Sequence, residues 1–233
     1  SEKISNSISK ENIIIDFAMR YGNPSIKSKI HKLHKMGCEN LVVLPLYPQY
    51  AAATTATVCD EVYRTLMKMR WQPSLKIIPH YESEPLYINA LVSSIEKKIN
   101  EIKWKPDLII SSYHGIPKSY FNKGDPYHCY CHKTTRLMQE RFSKVKIQTT
   151  FQSRFGPQEW LTPYTDKTLE ELPNKGVKNL LVIIQLKIRN FHQEVKKILE
   201  SFLHIINLII TYLTYSKFIT LILILQSHLF FKY

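Results

Sequence analysis

Along the first 184 residues, short apolar runs alternate with longer stretches in which apolar positions recur every three or four residues. Ile13-Ile14-Ile15-Asp16-Phe17 reads as a buried strand. After Gly22-Asn23-Pro24, the spacing of Ile26, Ile30 and Leu33 predicts a helix that stops at Gly37 as a C-terminal cap. Leu41–Leu44 is the next strand, ending at Pro45. Thr54 and Thr55 are placed to cap a helix whose Val58, Val62, Leu66 and Met69 form a single stripe. Leu75–Ile78 predicts a strand. Pro85 suits the first turn of a helix carrying Leu86, Ala90, Leu91 and Ile95. Further strands are expected at Leu108–Ile110, Lys146–Phe151 and Leu180–Ile184. Helices are expected around Thr134–Phe142 and from Asp166.

Strand and helix in alternation, with strands apolar on both faces, predict an α/β fold. The expected architecture is a mostly parallel, doubly wound sheet covered by helices on both sides. Ligands in such folds bind beyond the carboxyl ends of the strands, so residues that directly follow the apolar runs carry the functional interest.

Residues 185–233 break the pattern. The last proline is Pro173 and the last glycine Gly176, so residues 177–233 hold neither, where average usage would place about seven. No Asp or Glu follows Glu200, and Phe202–Tyr215 and Phe218–Leu225 are apolar runs interrupted by Ser216 and Lys217. Neither run reaches the roughly 18 apolar residues of a spanning helix. Three readings stand: a membrane anchor, an additional buried or interfacial helix, and translation in a shifted frame. The third is favoured. The chain is therefore divided into a core, 1–184, and an unrelated hydrophobic and basic tail, 185–233.

Candidate chemistry falls in three segments, each after a strand. In Leu108-Ile109-Ile110-Ser111-Ser112-Tyr113-His114-Gly115-Ile116-Pro117, the strand ends on His114 before a sharp exit. A neutral imidazole there can ligate a divalent metal or accept a proton near neutral pH, or it can merely cap the strand. Leu44–Thr55 packs tyrosines, prolines and small residues into a stiff loop. It suits a flat apolar ligand, or serves only as a rigid connection. Phe151–Leu161 leads into Arg154 and Trp160, whose indole can stack on a ligand face or fill the core.

Taken together, these segments resemble the ferrochelatase family. Tyr47-Pro48-Gln49-Tyr50, Ser112-Tyr113-His114-Gly115-Ile116-Pro117, Gly124-Asp125-Pro126-Tyr127, Gln152-Ser153-Arg154-Phe155-Gly156-Pro157 through Trp160-Leu161, and Pro163-Tyr164-Thr165-Asp166 follow the family's order and spacing. Any one of them is weak, but five in order are specific, and they cover about Asn12 to Ile184. The resemblance implies a chelatase-like fold of two similar doubly wound halves, incomplete here. It implies insertion of ferrous iron into a porphyrin, the last step of haem formation, with iron as substrate and no resident cofactor. His114 matches the family's histidine, placed there as metal ligand or as acceptor of pyrrole N–H protons. Arg20 and Tyr21 match its polar lining, and Tyr47 and Trp160 its pocket-side aromatics.

Departures from the family pattern matter as much. A strand like Leu180–Ile184 continues in the family into Pro-Gly-Phe and a Glu-Thr-Leu-Glu-Glu helix, whose glutamate faces the histidine. Here Gln185-Leu186-Lys187-Ile188-Arg189-Asn190 follows, which motivates the shifted-frame reading. The family's first strand also has no counterpart before Ser1, and the missing Met hints that the natural N-terminus lies upstream. Two functions stay open: an iron chelatase, and a non-catalytic remnant that retains porphyrin or membrane binding. A chelatase for another metal is a third.

Composition narrows the partners. Thirty-two Lys and Arg against 19 Asp and Glu give +13, but without a run of five basic residues this reads as a solvated lysine-rich surface. No nucleic-acid partner is expected, and peripheral attraction to a membrane stays open. Four cysteines and no charged-then-apolar opening point to a reducing, cytoplasmic setting without a secretory signal. In His128-Cys129-Tyr130-Cys131-His132, four tetrahedral ligands on five consecutive residues are sterically implausible without a partner. A pair of cysteines at a loop or helix start, or a transient metal contact, are the alternatives. A [2Fe–2S] cluster is not expected, because Cys38 and Cys59 belong to other segments and the tail has no cysteine.

Overall fold

The computed structural model describes residues 13–184 and the backbone of residues 219–225. The chain forms two compact units. The first draws on Ser1–Tyr81 and Leu199–Tyr233, the second on Glu82–Ile198.

The first unit is built on four parallel strands: β1 (Ile13–Met19), β2 (Asn40–Pro45), β3 (Ser74–Ile77) and β7 (Ile219–Leu225), in the order β1-β7-β2-β3. Helix α1 (Ile26–Lys35) begins where Ser25 Oγ accepts the Ser28 N–H at 3.1 Å. It ends at Gly37 with φ 81°, where the Gly37 N–H reaches the His34 carbonyl and the Cys38 N–H the Leu33 carbonyl. That is the expected left-handed cap, available to glycine without steric penalty. Helix α2 (Thr57–Leu66) buries Val58, Val62 and Leu66 as its spacing predicts. These residues join Ala18, Ile26, Ile30, Leu33, Cys38, Leu41 and Val43 in the unit's core.

The predicted threonine cap of α2 is corrected. Ala52–Ala56 forms a single wide π-turn ahead of the helix. Thr54 Oγ1 turns back to the Ala51 carbonyl at 3.4 Å instead of capping a free N–H. A short hydroxyl competes locally for backbone carbonyls, and here that contact wins.

The place between β1 and β2 is filled from a distant part of the chain. β1 and β2 follow one another in sequence but do not pair. β7, inside the second apolar run of the tail, lies between them and runs parallel to both. Its pairing spans Ile13↔Ile219 to Met19↔Leu225 on one side and Asn40↔Ile219 to Pro45↔Ile224 on the other. The rest of the tail, and with it the question of its origin, lies outside the described residues.

The second unit carries a three-stranded parallel sheet, β5-β4-β6, from β4 (Leu108–His114), β5 (Ile147–Gln152) and β6 (Leu180–Ile184). Its helices are α3 (Pro85–Glu101), α4 (Lys118–Asn122), α5 (Tyr127–Arg141) and α6 (Thr165–Glu171). Pro85 occupies the first turn of α3 as expected. The buried face of that helix, however, is Tyr87, Ile88, Ala90, Val92 and Ile95, leaving Leu86 and Leu91 half-buried. Apolar residues lie around much of α3, so packing against α5 selects the face, not periodicity. Helix α5 starts seven residues before the predicted Thr134. Asp125 accepts the Tyr127 N–H at 3.0 Å and so turns the chain into a helix at Pro126.

Candidate functional site

β4 explains why His114 is where it is. Leu108 to Tyr113 are buried and His114 is exposed, so the strand delivers one imidazole to its carboxyl-terminal tip. Ser112 Oγ lies 2.9 Å from Thr165 Oγ1, and Thr150 Oγ1 lies 2.8 Å from the same hydroxyl. This buried trio ties β4, β5 and α6 together directly beneath the tip. Tyr113, on the opposite face from His114, packs with Cys131, Phe151 and Leu161 and places its hydroxyl 3.1 Å from Thr135 Oγ1.

Beyond His114 the chain cannot carry a side chain. The Gly115 N–H donates to the Gln152 carbonyl at 2.7 Å, and a Cβ on Gly115 would stand 2.9 Å from that oxygen and 3.3 Å from Trp160 Cε3. Glycine is required here by close approach, not by backbone angle. Trp160 is half-buried against this turn. It is anchored by its Nε1–H to the Phe155 carbonyl at 2.9 Å and by a short antiparallel bridge to Pro117. The indole is therefore fixed over the Gly115 turn that directly follows His114. Gln152 is the register partner of His114, and Ser153, which follows, has φ 67°, a left-handed conformation uncommon for a residue with a Cβ. Arg154 pairs with Asp166 and lies 4.1 Å from the Tyr164 ring centre.

His114 is exposed at the strand tip, yet enough protein surrounds the ring to push its pKa below the ordinary histidine value by desolvation. Its neutral form, with a free lone pair, therefore dominates at neutral pH. That form can bind a metal ion or take up a proton.

In the first unit, Arg20 and Tyr21 leave β1 in a turn closed by the Met19 N–H to the Pro24 carbonyl at 2.8 Å. The Arg20 guanidinium sits 4.4 Å from the Tyr21 ring centre, and its Nε donates to the Thr57 carbonyl at 2.8 Å. Tyr47 follows β2 and is half-buried. Burial first, and then Tyr21, hold its phenol protonated far beyond the usual range, with Arg20 opposing. The five predicted residues thus form two groups: Arg20, Tyr21 and Tyr47 at the strand ends of the first unit, and His114 with Trp160 at those of the second.

The hydroxyl trio, the glycine contact and the strained Ser153 were not predicted. Threonines on a strand and a serine in a loop carry no signal until their neighbours are known. The Glu82–Lys133 pair was also unforeseen. Glu82 is fully buried, Lys133 Nζ lies 2.8 Å from its Oε1, and Thr134 Oγ1 donates to its carbonyl at 3.0 Å. Residues 185–218, the stretch in which the resemblance implies a partner carboxylate, lie outside the described residues.

A parallel-stranded α/β chain with a histidine at one strand tip, followed by a glycine turn that packs against an indole, and an arginine–tyrosine cluster at the strand ends of its first unit has the features expected of a chelatase. The family model for ferrochelatase matches residues 1–185, and the chain belongs to the ferrochelatase family. It is 57% identical over 186 residues to a ferrochelatase of Allorhizobium ampelinum, covering 78% of this chain and 54% of that protein. It is 57% identical over 173 residues to one of Rhizobium meliloti, covering 73% and 51%. It is 52% identical over 185 residues to one of Brucella anthropi, covering 78% and 53%. The chain spans about half the length of the curated relatives it matches.

Proposed function

We propose that this chain binds a porphyrin and presents His114 to it, as part of the chemistry that inserts ferrous iron in haem formation. The observation that carries the reading is the neutral, exposed imidazole on the tip of β4, followed by the Gly115 turn against which the Trp160 indole packs. A free porphyrin resists metal entry because its N–H protons occupy the centre and the ring is stiff. Binding a bent form exposes the nitrogen lone pairs, with the strain drawn from contacts elsewhere on the ligand. Rigid aromatic surfaces such as Tyr47 and Trp160 suit that grip, and Arg20 suits an acidic substituent. The imidazole of His114 then accepts a pyrrole proton or carries the metal ion.

Turnover is proposed to be low, because residues 185–233 do not continue in the family's Glu-Thr-Leu-Glu-Glu pattern. Iron is proposed as substrate, and no iron–sulfur cofactor is proposed. Supporting this, Cys38 and Cys131 lie in the apolar cores of different units, and burial pushes the thiols of Cys59 and Cys131 up, against thiolate formation. Among the described residues no helix is long and apolar enough to cross a membrane. A cytoplasmic location with peripheral membrane contact is proposed from the composition.

The test is porphyrin titration followed by tryptophan fluorescence, together with an anaerobic assay using ferrous iron. Expected are saturable quenching, its retention in His114→Ala, and little metalloporphyrin. Absence of quenching removes the binding claim, and rapid turnover removes the claim of low activity.

A further inference from the structure

Helix α5 carries two histidines that the porphyrin reading does not use. His128 and His132 stand four residues apart, one helical turn, and therefore lie on the same face. Their ring centres are 4.4 Å apart and their planes inclined by 50°. A divalent ion about 2.1 Å from one nitrogen of each ring lies roughly 3.2 Å from each ring centre, and a right angle at the metal then separates the centres by about 4.5 Å. The 4.4 Å between the ring centres matches the spacing of two rings that share one ion.

The pair is also braced. His128 stacks on Phe151 at 5.6 Å and meets Phe121 at 5.1 Å, while His132 lies 6.0 Å from Phe151. Rings held by aromatic neighbours lose less freedom when they bind an ion than two free rotamers would. His132 is exposed and opens on a cleft of about 590 Å³ lined by Thr135, Gln139 and Lys146, so an ion would be reachable from solvent. The site is separate from the strand tip. Phe151, against which both histidines rest, packs with Tyr113 on the face of the sheet opposite His114. No cluster of three or more His, Cys, Asp or Glu suited to a metal ion occurs among the described residues, so the protein supplies two nitrogens and leaves other positions open.

We propose that His128 and His132 form a two-imidazole chelate for a borderline divalent transition-metal ion, an accessory site distinct from the one that carries His114. Paired imidazoles at this helical spacing favour copper, nickel and zinc over ferrous iron and magnesium.

The full chain, stripped of metal with chelator, is titrated with nickel chloride by calorimetry. Alongside it run His132→Ala, His128→Ala, Cys129→Ser and His114→Ala. Nickel should bind the wild-type chain. The affinity should fall at least tenfold in His132→Ala, an exposed position whose replacement leaves the core intact, and be unchanged in Cys129→Ser and His114→Ala. His128→Ala, if folded by circular dichroism, should match His132→Ala. The proposal is overturned if wild-type chain binds no nickel, if His132→Ala binds as tightly as wild type, or if loss of Cys129 or His114 abolishes binding.

Discussion

The two units solve the same architectural problem with different stretches of chain. The second is continuous: its three strands come from residues 108–184. The first takes β1, β2 and β3 from residues 13–77 and its interior strand, β7, from residues 219–225. Parallel strands need long connections in any case, but here Ile13 pairs with Ile219, 206 positions further along the chain. Closing so long a loop costs more entropy, and it makes the sheet depend on a segment far away in sequence. The unit holding the tyrosine and arginine cluster is therefore hostage to the tail, whereas the one holding His114 is not.

The sharpest way to break that contrast is to end the chain at Ile198. Without β7, both β1 and β2 lose a ladder along their length. Domains are stable by only about 5–15 kcal/mol, so the first unit should unfold. Hydrogen exchange is expected to show residues 13–77 unprotected and β4 and β5 still protected. Equal protection of both regions would show that β7 is dispensable.

Within the second unit, Gly115→Val should have the next largest effect. The added atoms meet the Gln152 carbonyl and the Trp160 ring, so either the strand tip or the indole must move. Expected are loss of porphyrin-dependent quenching and a clear drop in Tm, while exchange protection of β1 and β2 is unchanged.

Lys133→Ala leaves the fully buried Glu82 carboxylate without its ammonium partner, although Lys133 itself is partly exposed. A cost of about 1–3 kcal/mol is expected in denaturant unfolding of the second unit. Restoration by the additional change Glu82→Gln would identify the buried charge as the cause.

The smallest expected effect is a pH dependence confined to the second unit. His114, His128 and His132 are all held below the ordinary histidine value of 6.5, each mainly by desolvation, and His132 additionally by His128. The unfolded chain then binds more protons than the folded one just below that value, so stability falls as pH drops. The contribution is complete above pH 6.5 and lost as pH falls through the folded-state values. Tm measured from pH 7.5 to 5 should decline more steeply for wild type than for His114→Ala. Identical slopes would mean His114 titrates as it does in the unfolded chain.

Much of this was readable in the residues. Ile26, Ile30 and Leu33 with Gly37 define α1 and its end, because helical periodicity and a left-handed cap are local properties. Leu108 to Tyr113 followed by His114 and Gly115 announce a buried strand that ends on an exposed histidine. What escaped notice depends on partners distant in sequence. Thr165 meets Ser112 across 53 positions, and Lys133 meets Glu82 across 51. The face of α3 escaped for a related reason: several of its faces are apolar, and only a neighbour chooses among them.

Local pattern alone thus determined the succession of strands and helices and the types of side chain at strand ends, since both follow from backbone preference and burial within a few residues. Tertiary structure decided which strand lies between β1 and β2, why Gly115 admits no other residue, and that two histidines of α5 rest on one phenylalanine. Each is a meeting of segments far apart along the chain. Such meetings are fixed by packing and hydrogen-bond satisfaction in the folded state, which no local stretch of sequence contains.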